Sequence, residues 1–233
     1  MLVPSTISPR ADDCTPAQHE ALRAYCARYV EQPVWYRDPL LFALVLAGDK
    51  PAADITAHEF AFPNHRWAPH RGLFELCELF DLSTRRIGPG VASDWFVAPN
   101  GGRLDLLPST DKTVGNLAWH RRLGTILGYP PSAIEFFATT PPGERTQPSD
   151  LVRTGQFSPQ EIAYTRFVFY VHDDSIERYE QAIEEGKQMR DRFSTLQQRW
   201  NLPALNQIAT GVYEAGVEAL AELANRPHQD SVV

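Results

Sequence analysis

The chain has 233 residues and a formal net charge of −7, and 43% of its residues are hydrophobic. That hydrophobic fraction is typical of globular proteins and too high for a disordered chain. The acidic balance disfavours a protein that binds nucleic acid through its phosphates. No apolar run approaches the ~20 residues that a membrane helix needs, and the first ten residues lack the pattern of a signal peptide. The sequence therefore predicts a soluble, cytoplasmic protein without a membrane segment.

The cysteines are few and isolated, at Cys14, Cys26 and Cys77. None forms a Cys-x-x-Cys pair, so neither a disulfide framework nor a zinc knuckle is predicted. Cys26 and Cys77 fall on the apolar faces of predicted helices, where we expect them to be small buried hydrophobic residues. Glycine motifs that bind phosphates or dinucleotides are absent, and no cofactor is predicted.

The first helix has a clear start signal. Thr15 and Gln18 form a capping box, and Pro16 suits the first helical position. Residues 40–47 are a continuous apolar run that ends at Gly48. We interpret this run as a buried strand, with a short helix as the alternative, because a fully apolar run has no diagnostic periodicity.

The middle of the chain is predicted to contain a helix and a hairpin. Apolar residues at helical spacing predict the helix over residues 69–82. Residues 94–98 and 103–107 have strand-like composition, and the Asn-Gly pair that begins at Asn100 suits the tight turn of a hairpin.

The second half is predicted to be mainly helical. Helices are expected over residues 111–127, 175–200 and 201–225, each with an apolar stripe at helical spacing. Residues 139–157 are rich in proline and polar residues, and we interpret them as an exposed loop or internal boundary. Residues 166–171 combine β-branched and aromatic side chains, which predicts a strand.

These elements define an α+β (mixed α/β) fold. We expect a small sheet that includes one hairpin, packed by helices, with two long C-terminal helices. Residues 1–233 are predicted to form one domain, with an internal loop boundary at 139–157 and a helical C-terminal part over 174–225.

Histidines concentrate in one segment, with His58, Glu59, His65 and His70 within thirteen residues. Imidazole nitrogen and carboxylate oxygen are ligands that suit zinc or iron. Their spacing matches no known ligand set, so we predict surface or capping histidines and no metal site.

Polar residues follow the two segments predicted as strands. Gly48 and Lys50 follow the first segment, and His172 and Asp173 follow the second. In open α/β sheets ligands bind beyond the carboxyl ends of the strands. If these strands are parallel neighbours, Lys50 meets His172 and Asp173, and the group could bind a small anionic molecule or move a proton. The alternative is that the aspartate only caps the following helix.

A third group lies on the helix before Gly128. Asn116 and His120 are four residues apart and share a face, and Tyr129 follows the end of the helix. This placement suits side chains that lean over a pocket, with a boundary histidine as the alternative. We therefore predict two sets of site residues: a catalytic set of Lys50, His120, His172 and Asp173, and a ligand-binding set of Gly48, Asn116, Arg121 and Tyr129.

Residues 120–137 resemble the signature of an uncharacterised prokaryotic domain family. Members of that family carry Leu-Gly-Tyr-Pro-x-Cys-Cys followed by an apolar residue and phenylalanine, and a second cysteine-bearing segment downstream. The resemblance extends over about residues 40–200. Here Ser132 and Ala133 replace the paired cysteines, and residues 170–179 contain no cysteine. If the thiols bind a metal or cluster in relatives, that site is lost here, and the resemblance implies no particular activity.

Two functions are consistent with these patterns. The first is a small-molecule enzyme or ligand-binding protein with a polar pocket at the rim of the sheet. The alternative is a non-catalytic protein that uses its C-terminal helices to bind a partner or a second copy of itself. A pocket lined by the predicted residues favours the first, and a large apolar patch on the last two helices favours the second.

Overall fold

A computed structural model describes residues 14–30, 37–55, 69–87, 94–107, 117–170 and 173–225. The described helices are α1 (Pro16–Val30), α2 (Asp38–Leu46), α3 (Pro69–Leu79), α4 (Gly101–Leu104), α5 (Leu117–Leu127), α6 (Pro131–Thr139), α7 (Pro148–Arg153), α8 (Pro159–Ile162), α9 (Ile176–Arg199) and α10 (Pro203–Asn225). The described strands are β1 (Ala53–Ile55), β2 (Ser83–Ile87) and β3 (Asp94–Ala98), and 3₁₀ segments occur at Pro142–Glu144 and Ala163–Phe167. The α+β prediction with two long C-terminal helices is confirmed.

The sheet is small and antiparallel, in the order β1-β3-β2. In its register Ala53 faces Val97 and Ser83 faces Ala98. Because β3 is the central strand, Phe96, Val97 and Ala98 are fully buried. The sheet packs its apolar residues against the end of α5, so it supports one wall of the site described below.

The second strand of the predicted hairpin is wrong, although the first strand, β3, forms. Residues 103–107 do not form a strand, because α4 begins directly after Asn100. The side chain of Asn100 accepts a hydrogen bond from the backbone N–H of Arg103 at 3.1 Å. Asn100 is therefore the N-cap of a short helix, and β3 pairs instead with β1 and β2.

The apolar run at residues 40–47 is a helix and not a strand. All nine residues of α2 are buried, so the run lacks the polar face that would reveal a helical period. The residues at the two ends of α2 indicate a helix instead. Pro39 lies in its first turn, and Gly48 has a φ of +75° and closes its last turn.

The predicted strand at 166–171 is also wrong within the described residues. Residues 163–167 form the 3₁₀ segment, Val168 is extended, and residues 168–170 have no strand partner in the described sheet. Phe167 is fully buried, and its ring centroid is 6.1 Å from that of Phe193. The apolar content of this segment thus reflects core packing, and the expected pair of parallel strands does not form.

Helix α10 is a central element of the fold. It packs against α1, α7, α8 and α9 and contributes buried residues to the main core, together with α1, α2 and α3. The capping box at Thr15 forms, and Cys26 and Cys77 are each 1% exposed, as predicted. None of the helices described by the structure is long and apolar enough to cross a membrane. The single-domain organisation stays a prediction.

Candidate ligand-binding site

The turn after α5 docks onto the loop after α2. The backbone N–H of Tyr129 donates to the carbonyl oxygen of Gly124 at 2.9 Å, and Gly128 has a φ of +76°. This is the Schellman ending of a helix. A Cβ atom on Gly128 would lie 2.5 Å from the Cγ of Pro51, so the close approach of the two segments requires glycine.

Two cationic side chains bind the last carbonyl groups of α5. Lys50 Nζ donates to the carbonyl oxygen of Leu127 at 3.0 Å. Arg103 Nε donates to the carbonyl oxygen of Ile126 at 2.8 Å. Positive charge is favourable at this end of a helix because the carbonyl dipoles point toward it. Lys50 thus fixes the end of α5 in place.

The loop that carries Lys50 is also tied to α9. Arg192 Nε and Nη2 donate to the two carboxylate oxygens of Asp49 at 2.6 and 3.1 Å. This bidentate geometry restricts both side chains. The position of Lys50 is therefore set from two sides, by α5 and by α9.

Lys50 is a buried lysine in an aromatic environment. Its side chain is only 7% exposed, and burial lowers its pKa to about 7, although the nearby charge of Asp54 opposes the shift. Its Nζ lies 4.5 Å from the ring centroid of Tyr129 and 5.8 Å from that of Phe169. At neutral pH this amine therefore exists in both protonation states.

A cavity of about 220 Å³ lies between α5, α6 and residues 168–170. We call it the aromatic cavity, because five of its lining side chains are aromatic rings. Its lining consists of Asp54, His120, Leu123, Gly124, Leu127, Tyr129, Ala133, Ile134, Phe137, Phe169 and Tyr170. Among these described residues, Asp54 contributes the one carboxylate.

The walls of the aromatic cavity are held by direct packing. The ring centroids of Tyr129 and Tyr170 are 5.7 Å apart, and those of His120 and Phe137 are 5.2 Å apart. Burial raises the pKa of Tyr129 to about 12, so this phenol stays neutral at physiological pH. The cavity is thus bounded mainly by aromatic side chains, and Asp54 is the carboxylate among its described lining residues.

The packing of α5 on α6 depends on Gly124. A Cβ atom there would lie 2.6 Å from the Cγ1 of Ile134. Outside the cavity, Arg121 donates two hydrogen bonds to Glu135, at 2.9 and 2.6 Å. This exposed pair joins the two helices and adds little stability. The predicted ligand-binding residue Arg121 therefore faces a carboxylate on α6 and does not line the cavity.

The predicted site residues fall into three groups. His120 and Tyr129 line the aromatic cavity, and Lys50 lies against the ring of Tyr129. Gly48 closes α2 and does not line the cavity. Asn116 and His172 lie outside the described residues.

Asp173 lies in a different place from the one we expected. It lines a second cavity of about 290 Å³ at the start of α9, which we call the polar cavity. Its lining consists of Phe136, Arg145, Thr146, Gln147, Pro148, Thr165, Val168, Tyr170, Asp173, Asp174, Arg178, Tyr179 and Ala182. Asp173 accepts from the backbone N–H of Ser175 at 2.9 Å and is 3.4 Å from Arg178 Nε.

Contacts with Ser175 and Arg178, and not with Lys50, account for the charge state of Asp173. Hydrogen bonds from Ser175, together with Arg178, hold the pKa of Asp173 below its usual value. The N-cap of α9 is Ser175, whose hydroxyl accepts from the backbone N–H of Arg178, so the aspartate is not the cap either. The carboxylate whose charge acts on Lys50 is Asp54.

Sequence reasoning missed Asp54, Phe137, Phe169 and Tyr170. Asp54 stands alone between apolar residues of a three-residue strand, which is too short to show a pattern. Phe169 and Tyr170 belonged to the segment interpreted as a strand. The sequence could have indicated Phe137, because two adjacent phenylalanines on a short helix cannot both face the same core.

Most of the histidine-rich segment lies outside the described residues. His58, Glu59 and His65 lie outside the described residues, and His70 lies in the first turn of α3. In the part of the chain that the structure describes, no group of three His, Cys, Asp or Glu side chains could hold a metal ion.

Comparisons with protein-family models, with curated proteins and with solved structures found no match to this chain.

Proposed function

We propose that this protein binds a small organic molecule in the aromatic cavity. The observation that supports the proposal is the composition of the lining, in which five side chains carry aromatic rings and one, Asp54, carries a carboxylate. Ligand pockets in proteins are typically apolar and aromatic, with a few polar groups that fix the orientation of the ligand. The aromatic cavity has this composition.

The size of the cavity limits the ligand. An apolar cavity of about 150 Å³ is large enough to hold benzene, and the aromatic cavity measures about 220 Å³. A ligand with one ring, or a branched aliphatic molecule of similar size, matches this volume. Larger molecules would have to extend past Phe137, which is 49% exposed at the edge of the cavity.

The site is held in shape before any ligand arrives. Gly128, Lys50 and Asp49 each fix one of the segments that border it. A pre-organised site loses little side-chain freedom when it binds, so more of the contact energy contributes to affinity.

Binding is better supported than catalysis. Lys50 carries the perturbed amine, but it is not among the residues that line the cavity, and its Nζ donates to the carbonyl oxygen of Leu127. A catalytic base or nucleophile must come within hydrogen-bonding reach of its substrate. The position of Lys50 favours an electrostatic effect on the ligand through Asp54 and Tyr129.

The alternative, an interaction surface on the C-terminal helices, has less support. Among the described residues of α9 and α10, the large hydrophobic side chains that are exposed are Ile176 and Leu223. Partner-binding faces usually present a contiguous apolar patch of several hundred square ångströms. Much of the apolar face of α10 is already covered by α1, α7 and α9.

Replacing Phe137 with alanine should weaken binding of a cavity ligand by about fivefold to tenfold, the usual worth of one aromatic contact. Phe137 is half exposed, so the free energy of unfolding should change little. Ligands are first found by saturation-transfer NMR with a library of neutral, cationic and anionic one-ring compounds. The dissociation constants of the hits are then measured for both proteins.

The matched control is Phe136→Ala, the neighbouring residue on α6 that lines the polar cavity. It should leave the dissociation constants unchanged. The proposal fails if no compound in the library binds, or if every hit binds both variants as tightly as the unmodified protein.

A further inference from the structure

The aromatic cavity has two different ends. Leu127 and Tyr129 lie at the turn between α5 and α6 and form the first end. The second end lies about 10 Å away along α5, where the ring of His120 contacts that of Phe137. Asp54 lies toward the first end, because its charge acts on Tyr129. The lining carboxylate and the exposed edge at Phe137 are therefore at opposite ends of the cavity.

Arg145 places a guanidinium group at the Phe137 end. Its Cζ lies 4.2 Å from the ring centroid of Phe137. Its Nε donates to the carbonyl oxygen of Thr140 at 2.9 Å, and its Nη2 donates to those of Phe137 and Thr140 at 2.9 and 2.8 Å. These bonds fix the guanidinium in place, and they leave the two N–H groups of Nη1 without an acceptor among the described residues.

The carboxylates that line the polar cavity with Arg145 have other partners. Asp173 pairs with Arg178 at 3.4 Å, and Asp174 Oδ2 accepts from the backbone N–H of Thr146 at 3.1 Å. Among the described residues, no carboxylate forms an ion pair with Arg145. The carbonyl oxygens that it binds carry only partial charge, so the guanidinium keeps its full positive charge beside Phe137.

Two more cationic side chains contact rings of the cavity from outside its lining. The Cζ of Arg37 lies 5.2 Å from the ring centroid of Phe169, and Lys50 Nζ lies 4.5 Å from that of Tyr129. Positive charge behind the rings raises the electrostatic potential inside the cavity, because the low-dielectric interior screens it weakly. A cationic ligand is therefore disfavoured and an anionic ligand is favoured.

We infer that the aromatic cavity takes a one-ring carboxylic acid in its ionised form, with the ring between α5 and α6 and the carboxylate bound to Arg145. This inference rests on the proposed function and names the class of ligand. The volume of about 220 Å³ accommodates the ring, and the carboxylate leaves the cavity past the exposed edge of Phe137. There it accepts charge-assisted hydrogen bonds from Nη1, the interaction for which arginine is best suited.

The test titrates the full chain with three one-ring molecules of similar shape. Phenylacetate carries the negative charge, phenylacetamide is its neutral counterpart, and 2-phenylethylammonium carries a positive charge. The titrations use NMR and calorimetry at pH 8. Burial lowers the pKa of Lys50 to about 7, so about nine tenths of this amine is neutral at pH 8 and the comparison reports on Arg145. We expect phenylacetate to bind about tenfold more tightly than the amide, and the ammonium ion to bind most weakly.

Variants assign the preference to Arg145. Arg145→Gln should reduce the ratio of the two affinities, phenylacetate over phenylacetamide, from about tenfold to about twofold. Arg145→Lys keeps a positive charge and should restore part of this ratio. Arg178→Gln, in the polar cavity, is the matched control and should leave it at about tenfold. The ratio is the readout because a shift of α6 would affect the affinities of both ligands alike.

The orientation of bound phenylacetate is tested on the unmodified protein, by intermolecular nuclear Overhauser effects. The ring proton opposite the side chain should contact Leu127 and Tyr129. The methylene protons next to the carboxylate should contact Phe137. The reverse orientation would direct the carboxylate toward Asp54 and would overturn the inference, even if the arginine variants did not fold.

Three further results would overturn the inference while leaving the proposed function intact. The amide or the ammonium ion could bind as tightly as phenylacetate. The preference for phenylacetate could persist unchanged in Arg145→Gln. Finally, none of the three molecules could bind although other compounds do so in a manner sensitive to Phe137→Ala. Failure of the library screen itself would instead remove the proposed function.

Discussion

Replacing Gly186 with alanine is expected to lower the free energy of unfolding by about 3 kcal/mol, at the upper end of the cost of overpacking. Glycine inside a helix normally costs stability, and alanine would usually restore about 0.5–1 kcal/mol. At Gly186 in α9 alanine should lower the stability instead, because a Cβ atom there would overlap the backbone carbonyl oxygen of Tyr164. A backbone atom cannot rotate away as a flexible side chain could, so α9 or the 3₁₀ segment must shift. Urea titration measures the change.

Gly143→Ala is the matched control. Apart from the neighbours of Gly143 in the chain, no heavy atom of the described residues lies within 4 Å of a Cβ at this position, so the change in stability should stay within about 0.5 kcal/mol. A stabilising effect at Gly186 would contradict the close packing of α9 on residues 163–167. Since that segment leads directly to Phe169 and Tyr170, the substitution should also weaken ligand binding.

The stability of the protein is expected to rise with pH between about 7 and 9 because of Lys50. In the unfolded chain Lys50 has its ordinary pKa of 10.5 and stays protonated, whereas in the folded chain it loses its proton above about pH 7. The unfolded state therefore binds more protons in this interval, and the free energy of unfolding increases with pH. Summed from pH 7 to 9, this contribution is about 2 kcal/mol.

Lys50→Met isolates this contribution from those of other groups. The difference in unfolding free energy between the unmodified protein and Lys50→Met should move by about 2 kcal/mol in favour of the unmodified protein from pH 7 to 9. Lys187→Met, at an exposed lysine on α9, serves as the control and should produce no such change. A difference that is constant across this interval would mean that Lys50 stays charged in the folded protein.

Helices with polar faces or capping residues could be predicted from the sequence. Thr15 and Gln18 mark the start of α1, and the apolar stripes of α9 and α10 repeat at helical spacing over more than twenty residues each. Three strand predictions are wrong among the described residues, namely those over residues 40–47, 103–107 and 166–171. The apolar run of α2 shows no period because all nine of its residues are buried. In residues 166–170 only Phe167 is buried, so their β-branched and aromatic composition does not reflect a buried strand.

The site could be predicted only in part, because its residues meet through tertiary packing. The sequence predicts Lys50 and Tyr129 as site residues because both follow predicted elements, and the structure brings them together through Gly128 and Pro51. The sequence predicted instead that Lys50 meets His172 and Asp173 through two parallel strands, which do not form among the described residues. The residues next to Asp54 do not indicate that it belongs to a site, because the rings that line the same cavity are distant from it in the sequence.

The central claim is that the aromatic cavity binds a ligand, and chemical-shift mapping tests it most directly. The full chain is labelled with ¹⁵N and with ¹³C methyl groups, and the tightest ligand from the library is added in steps. We predict that the largest shifts fall on Leu123, Ile134 and Tyr170, around the cavity, and that Phe137→Ala reduces them in parallel with affinity. Shifts centred on Arg178 in the polar cavity, or on Leu223 at the end of α10, would contradict the claim.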